Sequence, residues 1–108
     1  MKKITIIASS VAMVLVFTTL VLSGNVGGDC SFKGKRLYGK VQVVDSFPDI
    51  KVQVVTSFPD LKVQTVTSFP DSCGKWQFVT SFPDFKIQYV TSFPDIKIQM
   101  VTSFPGVN

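Results

Sequence analysis

The sequence contains no histidine and no glutamate, and its only acidic side chains are seven aspartates. Histidine and glutamate supply most of the general acid–base groups in enzymes, and neutral histidine is the most common metal ligand. Catalysis by this chain is therefore not expected. Only Asp45 and Asp49 lie close together in sequence, whereas a metal site needs acidic groups that cluster in space. The sequence thus predicts neither a metal site nor a cofactor.

Most of the chain consists of six copies of an 11-residue unit, of which residues 51–61, KVQVVTSFPDL, are representative. The units are residues 40–50, 51–61, 62–74, 75–85, 86–96 and 97–107. The third unit is two residues longer than the others, and the extra residues fall within Ser72-Cys73-Gly74. Repetition at a fixed period indicates one structural unit that buries its apolar residues only against neighbouring copies. A single unit is not expected to fold.

The composition of each unit predicts a short strand followed by a corner. Lys-Val-Gln-Val-Val-Thr is rich in β-branched residues, and Ser-Phe-Pro-Asp interrupts it. A proline in every unit excludes helices, because each proline would cost a helix about 3 kcal/mol. Proline also biases the phenylalanine before it towards an extended conformation. The sequence therefore predicts an all-β fold of strands about five or six residues long.

Positions that do not vary among the units are predicted to form the core, because each copy must meet the same close surroundings there. The fifth position is constant, at Val44, Val55, Val66, Val79, Val90 and Val101. The eighth position is also constant, at Phe47, Phe58, Phe69, Phe82, Phe93 and Phe104. The fourth position varies widely in volume and is assigned to an open face: Val43, Val54, Thr65, Phe78, Tyr89 and Met100. The second position is predicted to be partly buried: Val41, Val52, Val63, Trp76, Ile87 and Ile98.

The beginning of the chain is typical of an export signal, because two lysines precede an apolar run over residues 4–22. That run could also span a bilayer as an uncleaved anchor. Both alternatives place the repeats outside the cytoplasm, in the periplasm, at the cell surface or in the medium. We divide the chain into a signal peptide or membrane anchor (1–23), a linker and lead-in (24–36) and a single β-repeat domain (37–108).

Two cysteines in an exported chain favour a disulfide between Cys30 and Cys73. The alternative, a free reactive thiol, lacks a histidine to activate it. After residue 23, nine basic residues face seven aspartates, so no nucleic-acid partner is expected. The basic cluster Lys33, Lys35, Arg36 and Lys40 is interpreted as a solvated lead-in to the repeats.

Two kinds of repeated polar residue are assigned structural roles. The lysines and aspartates of the corners are interpreted as solvated charges. The glutamine column is expected to form amide ladders or to cap backbone groups. By contrast, Trp76, Phe78 and Tyr89 interrupt the aliphatic pattern of the first three units, and they are a candidate platform for a glycan or a peptide. The competing interpretation is that these bulky side chains fill one wider side of a closed ring.

The unit Val-Gln-Val-Val-[Asp/Thr]-Ser-Phe-Pro-Asp-[Ile/Leu]-Lys, with its interruption Asp-Ser-Cys-Gly-Lys-Trp-Gln, resembles the septoil-knot domains of small bacterial proteins. The resemblance covers residues 37–107. It implies a compact closed toroid of six to seven short strands wound into a torus knot with seven crossings. An open two-sided β-solenoid is the alternative fold. No activity follows from the resemblance.

We therefore expect an exported, non-catalytic domain with a structural or binding role, present as a monomer. The alternative is a carbohydrate- or protein-binding module at the cell surface, which would use Trp76, Phe78 and Tyr89.

Overall fold

The computed structural model describes residues 26–107, and within them every regular element is a β-strand. The strands are β1 (Ser31–Phe32), β2 (Lys35–Arg36), β3 (Gly39–Val43), β4 (Ile50–Val54), β5 (Leu61–Thr65), β6 (Lys75–Phe78), β7 (Phe85–Tyr89) and β8 (Ile96–Met100). The described part of the chain holds no helix with the length and hydropathy needed to cross a bilayer. The signal peptide or anchor assigned to residues 1–23 lies outside the described residues.

Strands β3 to β8 form a closed barrel in which every neighbouring pair is parallel. Each barrel strand spans four or five residues and contains the first four residues of one repeat, preceded in every strand except β6 by one further residue. Around the barrel their order is β3, β6, β5, β8, β4, β7, after which β3 follows again. Closure removes the free edges that a sheet would otherwise expose. The predicted closed all-β fold is therefore confirmed, and the open solenoid is not formed.

Neighbouring strands are offset by two residues at each interface of the barrel. Ile50 lies opposite Ile87, for example, and Val52 lies opposite Ile96. Because side chains alternate between the two faces of a strand, an even offset keeps equivalent positions on the same face. Because the offset is the same at all six interfaces, the six strands are related by rotation about the barrel axis. The six residues at one repeat position therefore lie at the same height along that axis and form a ring. This layering resembles the stacked side-chain layers inside other closed barrels.

Two such rings fill the barrel. The ring at the second repeat position is fully buried, and its members are Val41, Val52, Val63, Trp76, Ile87 and Ile98. The ring at the eleventh position is also buried, and its four large members are Ile50, Leu61, Phe85 and Ile96. Glycines occupy its two remaining places, and one of them, Gly39, lies opposite Trp76 in the sheet. A Cβ at Gly39, where φ is +129°, would collide with the Asp84 carboxylate, so glycine is required there. The indole Nε1 of Trp76 donates a hydrogen bond of 3.0 Å to the Leu37 carbonyl.

The burial of the repeat positions differs from the sequence-based assignment. The constant phenylalanines are exposed and the constant valines are only half-buried, so the prediction that they form the core is wrong. The second position, expected to be partly buried, is the centre of the core. The open character of the fourth position is confirmed, since its members are exposed. Core positions vary because the six side chains of a ring share one interior, so that a large residue can be offset by a small neighbour.

The chain winds around the barrel twice. Each 11-residue unit moves it by two places in the strand order, so β3, β4 and β5 complete a first turn on alternate places. A further step of two would return the chain to the place of β3. The 13-residue unit instead moves it by one place, from β5 to β6, and β6, β7 and β8 then fill the gaps of the first turn. The two-residue insertion thus lies where the chain passes from the first turn to the second.

The end of the barrel at which its strands begin is covered by the segment before β3. Leu37 is fully buried there, and Cys30 is almost so. The Leu37 carbonyl accepts a hydrogen bond from Gly74 N–H, within the insertion. A side chain at Gly74 would collide with the Lys62 carbonyl oxygen, and its φ is +80°, so only glycine fits. The predicted Cys30–Cys73 disulfide is formed and joins the covering segment to the insertion.

Reduction of this disulfide is expected to lower the free energy of unfolding by about 4 kcal/mol, because the bond closes a loop of 43 residues and restricts the unfolded chain. Urea unfolding with and without a thiol reductant measures the difference. A variant with both Cys30→Ser and Cys73→Ser should match the reduced protein and be insensitive to reductant. Equal stability of the oxidised and reduced protein would contradict the expectation.

Candidate functional site

The corners that connect successive barrel strands are held by backbone hydrogen bonds at both ends. In a representative corner, Val55 N–H donates to the Ile98 carbonyl at 2.8 Å. At the other end, Asp60 N–H donates to the Lys97 carbonyl, and Asp60 Oδ2 accepts a hydrogen bond from Lys97 N–H, both at 2.8 Å. The same reciprocal bonds join three further pairs: Asp49 with Lys86, Asp84 with Lys40, and Asp95 with Lys51. These aspartates therefore fix the corners, a role that the interpretation as solvated charges missed.

Side chains of the glutamine column fix the start of the same corners. Gln53 Nε2 donates to the Thr91 carbonyl at 3.2 Å, and Gln42, Gln64 and Gln88 make equivalent bonds to corner carbonyls. The expected backbone capping is thus confirmed for these four residues. These four glutamine amides and four aspartate carboxylates are thus used within the fold, which makes them poor candidates for a ligand site.

Each of the five corners, and the equivalent turn after β8, presents one phenylalanine to solvent. We call these six residues the phenylalanine ring: Phe47, Phe58, Phe69, Phe82, Phe93 and Phe104. Their side chains are 79–93% exposed, and their φ angles lie between +52° and +55°. The extended conformation expected before proline is therefore wrong for all six. Hydrogen bonds at both ends of the corner force the phenylalanine into a backbone conformation with positive φ. The preference of a residue before proline for an extended conformation is therefore overridden.

Neither backbone preference nor burial explains phenylalanine at these positions. A residue other than glycine, asparagine or aspartate with positive φ costs about 1 kcal/mol or more. The rings gain little packing in return, because they are 79–93% exposed and the aromatic pairs found in residues 26–107 join Trp76 to Phe78 and to Phe85. Strained positions that the fold over-determines are concentrated at functional sites. The phenylalanine ring is therefore the strongest candidate for a binding surface.

Comparison with known proteins agrees with this architecture. A family model described as "7(1) septoil knot domain" matches residues 34–108. The chain belongs to the septoil-knot family. It is also 76% identical over 49 residues to an uncharacterized protein of Synechocystis sp., an alignment that covers 45% of this chain and 44% of that protein. The chain thus aligns with less than half the length of that relative.

The septoil-knot barrel has a second exposed feature at the end where its strands finish. Position four of each repeat points towards the barrel axis there, beyond the buried second-position ring. We call these residues the open-end ring: Val43, Val54, Thr65, Phe78, Tyr89 and Met100. The five apolar and aromatic members are 36–50% exposed. Partial burial raises the pKa of the Tyr89 phenol above its ordinary value.

The aromatic platform predicted from sequence is only partly present on the septoil-knot barrel. Trp76 is fully buried, so its inclusion is corrected, and it fills the interior as the competing interpretation expected. Phe78 packs edge-on against it, with ring centroids 6.2 Å apart. Phe78 and Tyr89 both lie in the open-end ring, where their outer surfaces are accessible. Binding by this pair stays a hypothesis.

The remaining surface offers little chemistry. Among residues 26–107, no group of three or more histidine, cysteine or acidic side chains is placed to hold a metal ion. A shallow depression of about 490 Å³ beside the disulfide is lined by Asp29, Tyr38 and Asp71, among others. It contains no nucleophile paired with a base. The basic cluster around β1 and β2 is exposed, and Lys35 approaches Asp49 at 3.9 Å.

Proposed function

We propose that this protein is an exported, non-catalytic binding domain of the cell surface or periplasm, and that it contacts its partner through the phenylalanine ring. The observation that supports the proposal most directly is the exposure of six aromatic side chains at backbone positions unfavourable to them. Rigid corners present these rings without a large loss of conformational entropy on binding.

A non-catalytic role is consistent with the composition and with the family. The chain has no histidine or glutamate, and the family model is described by its knot, without an activity. Disulfides persist mainly in oxidising compartments, so the Cys30–Cys73 bond supports export, as does the pattern of residues 1–23.

A second candidate is a carbohydrate- or protein-binding module that uses the open-end ring. It is favoured by the accessible aromatic pair Phe78 and Tyr89, since a phenol combines an apolar ring with a hydroxyl group that can donate a hydrogen bond. This ring is smaller and less exposed than the phenylalanine ring. We therefore place it second.

Hydroxyl-radical footprinting tests the two candidates together. Oxidation of individual side chains is measured by mass spectrometry on the purified protein and on the protein within intact exporting cells. If the proposal is correct, two or more of the six phenylalanines are oxidised several-fold less in cells than in the purified protein, while Tyr89 and Met100 react equally in both. Protection of Tyr89 and Met100 alone would favour the open-end ring. No protection at either ring would contradict both.

The control is a variant in which all six phenylalanines are replaced by asparagine. Asparagine tolerates positive φ better than phenylalanine, and the exposed rings contribute no core packing. The variant is therefore expected to unfold at a temperature equal to or above that of the wild type. Loss of its folded structure would mean that the phenylalanines serve stability, and the proposed binding role would lose its main support.

A further inference from the structure

We infer that the partner of the phenylalanine ring is the surface of a lipid bilayer. The inference rests on the proposed function and specifies its ligand. It depends on how the six side chains are distributed, on their chemistry, and on the lysines exposed on the same repeats.

The distribution of the rings does not suit a folded protein partner. A stable protein interface buries roughly 800 Å² of continuous, well-packed surface on each side. The phenylalanines come from five separate corners and the turn after β8, around a closed barrel, and in the described residues no contact joins the aromatic ring of one to that of another. Separate side chains of this kind form isolated contacts. A fluid apolar phase needs no continuous patch, because it accommodates each ring independently.

The chemistry of the rings does not suit a glycan. Sites for polar ligands combine apolar walls with a few convergent polar groups. Phenylalanine has no polar atom in its side chain, and four of the carboxylates and four of the amides of the repeats are used to fix the corners, as Asp60 and Gln53 show. An exposed serine hydroxyl precedes each phenylalanine and can contact the polar headgroup layer, while the six apolar rings match hydrocarbon. Burial of one phenylalanine side chain contributes about 1.5–3 kcal/mol, so even two or three inserted rings would hold a domain of this size at a bilayer.

The exposed lysines of the repeats supply contacts for anionic headgroups, although residues 40–107 carry six lysines and six aspartates and so have no net charge. Four lysines at the starts of the barrel strands are exposed: Lys40, Lys51, Lys86 and Lys97. In residues 26–107, the one ion pair found joins Lys35 to Asp49, so the ammonium groups of these four lysines lie more than 4 Å from any described carboxylate. Each lysine near an anionic bilayer contributes about 1 kcal/mol of attraction.

The apolar run over residues 4–22 bears on how close the barrel lies to a membrane. Only residues 23–29 separate the apolar run from Cys30, and such a linker reaches at most about 30 Å when fully extended. If the run is retained as an anchor, the corners lie within reach of the bilayer. If it is removed on export, the phenylalanine ring is the part of the exported chain best suited to hold a membrane.

The test uses six single variants of the exported protein, each with one ring phenylalanine replaced by tryptophan. The protein is isolated as the exporting cell delivers it and is mixed with phosphatidylglycerol–phosphatidylcholine vesicles that carry brominated acyl chains. Inserted side chains lie about 5–10 Å into the interface, where bromine quenches tryptophan fluorescence, so we expect roughly twofold quenching of the added tryptophan at two or more neighbouring corners. The native Trp76 is buried and provides the baseline, which should not change.

The outcomes separate this inference from the proposed function. Quenching at several corners, reduced at high salt or when phosphatidylglycerol is omitted, supports a bilayer partner. If no corner tryptophan is quenched beyond the wild-type baseline, the lipid inference is wrong. Protection of the phenylalanines in the footprinting experiment would then still support a binding domain, with a protein or glycan as its partner. Absence of both signals would overturn the inference and the proposed function together.

Discussion

Replacement of Ile87 by aspartate is expected to abolish folding of the barrel. Ile87 has no solvent exposure and lies in the second-position ring, where β7 pairs with β3 and β4. Its side chain faces apolar residues on every side, so the new carboxylate would have no partner there. An unpaired buried charge costs about 3–5 kcal/mol in addition to the apolar burial that is lost. The sum is comparable with the whole stability of a small domain, about 5–15 kcal/mol.

Tyr89→Ser provides a matched comparison, because Tyr89 follows two residues later on the same face of the same strand. Its side chain is 46% exposed in the open-end ring, and its replacement should cost no more than about 1–2 kcal/mol. Val79→Asp, at a half-buried corner position, should fall between the two. Urea unfolding followed by circular dichroism measures all three. Similar damage from Ile87→Asp and Tyr89→Ser would contradict the division of the barrel into filled and open rings.

The fold class followed from features that act locally. Proline in every repeat excludes helices, β-branched residues favour strands, and six similar units must occupy similar environments. Two cysteines in a chain whose first residues are typical of an export signal were sufficient to predict the Cys30–Cys73 bond. These inferences needed no knowledge of how the strands are arranged around the barrel.

The burial pattern could not be obtained in the same way. Constancy among repeats was interpreted as close packing, yet the constant phenylalanines are exposed and Trp76 occupies a core position whose other members are valine and isoleucine. Inside a closed barrel, the six positions of a ring share one volume, and the two strands beside Trp76 contribute the smaller side chains Val41 and Val63. A residue that is identical in all copies therefore meets the same structural requirement in each copy. For the phenylalanines, that requirement is a corner with an exposed aromatic side chain, and it is not burial.

The candidate binding surface was missed for the same reason. Its signal was present in the sequence, as a large aromatic residue kept at a corner in all six units, but it was attributed to the core. The positive φ of Phe58 and its equivalents appears only when the hydrogen bonds of the corner are known. The strand order was also beyond sequence reasoning, because nearly identical units can pair with one another at similar energy.

The two extra residues of the third unit are expected to decide that order. Deletion of Asp71 and Ser72 restores an 11-residue unit while it retains both cysteines. Every 11-residue unit in the structure advances the chain by two places in the strand order, so the shortened unit would direct β6 to the place already held by β3. The second turn could then not fill the gaps of the first. We expect the variant to lose its monomeric fold and its cooperative thermal transition.

The control for the deletion is a variant in which Asp71 and Ser72 are both replaced by glycine. This variant keeps the length of the unit but lacks the two side chains, so it shows which of the two losses matters. Both residues are exposed, and the hydrogen bond from Lys75 N–H to the Ser72 carbonyl does not require a side chain. The glycine variant should therefore remain a folded monomer, destabilised by about 1–2 kcal/mol at most through the added backbone freedom. Size-exclusion chromatography and thermal unfolding compare the two proteins. A monomeric deletion variant with the melting temperature of the wild type would show that the length of the third unit does not control the passage from the first turn to the second.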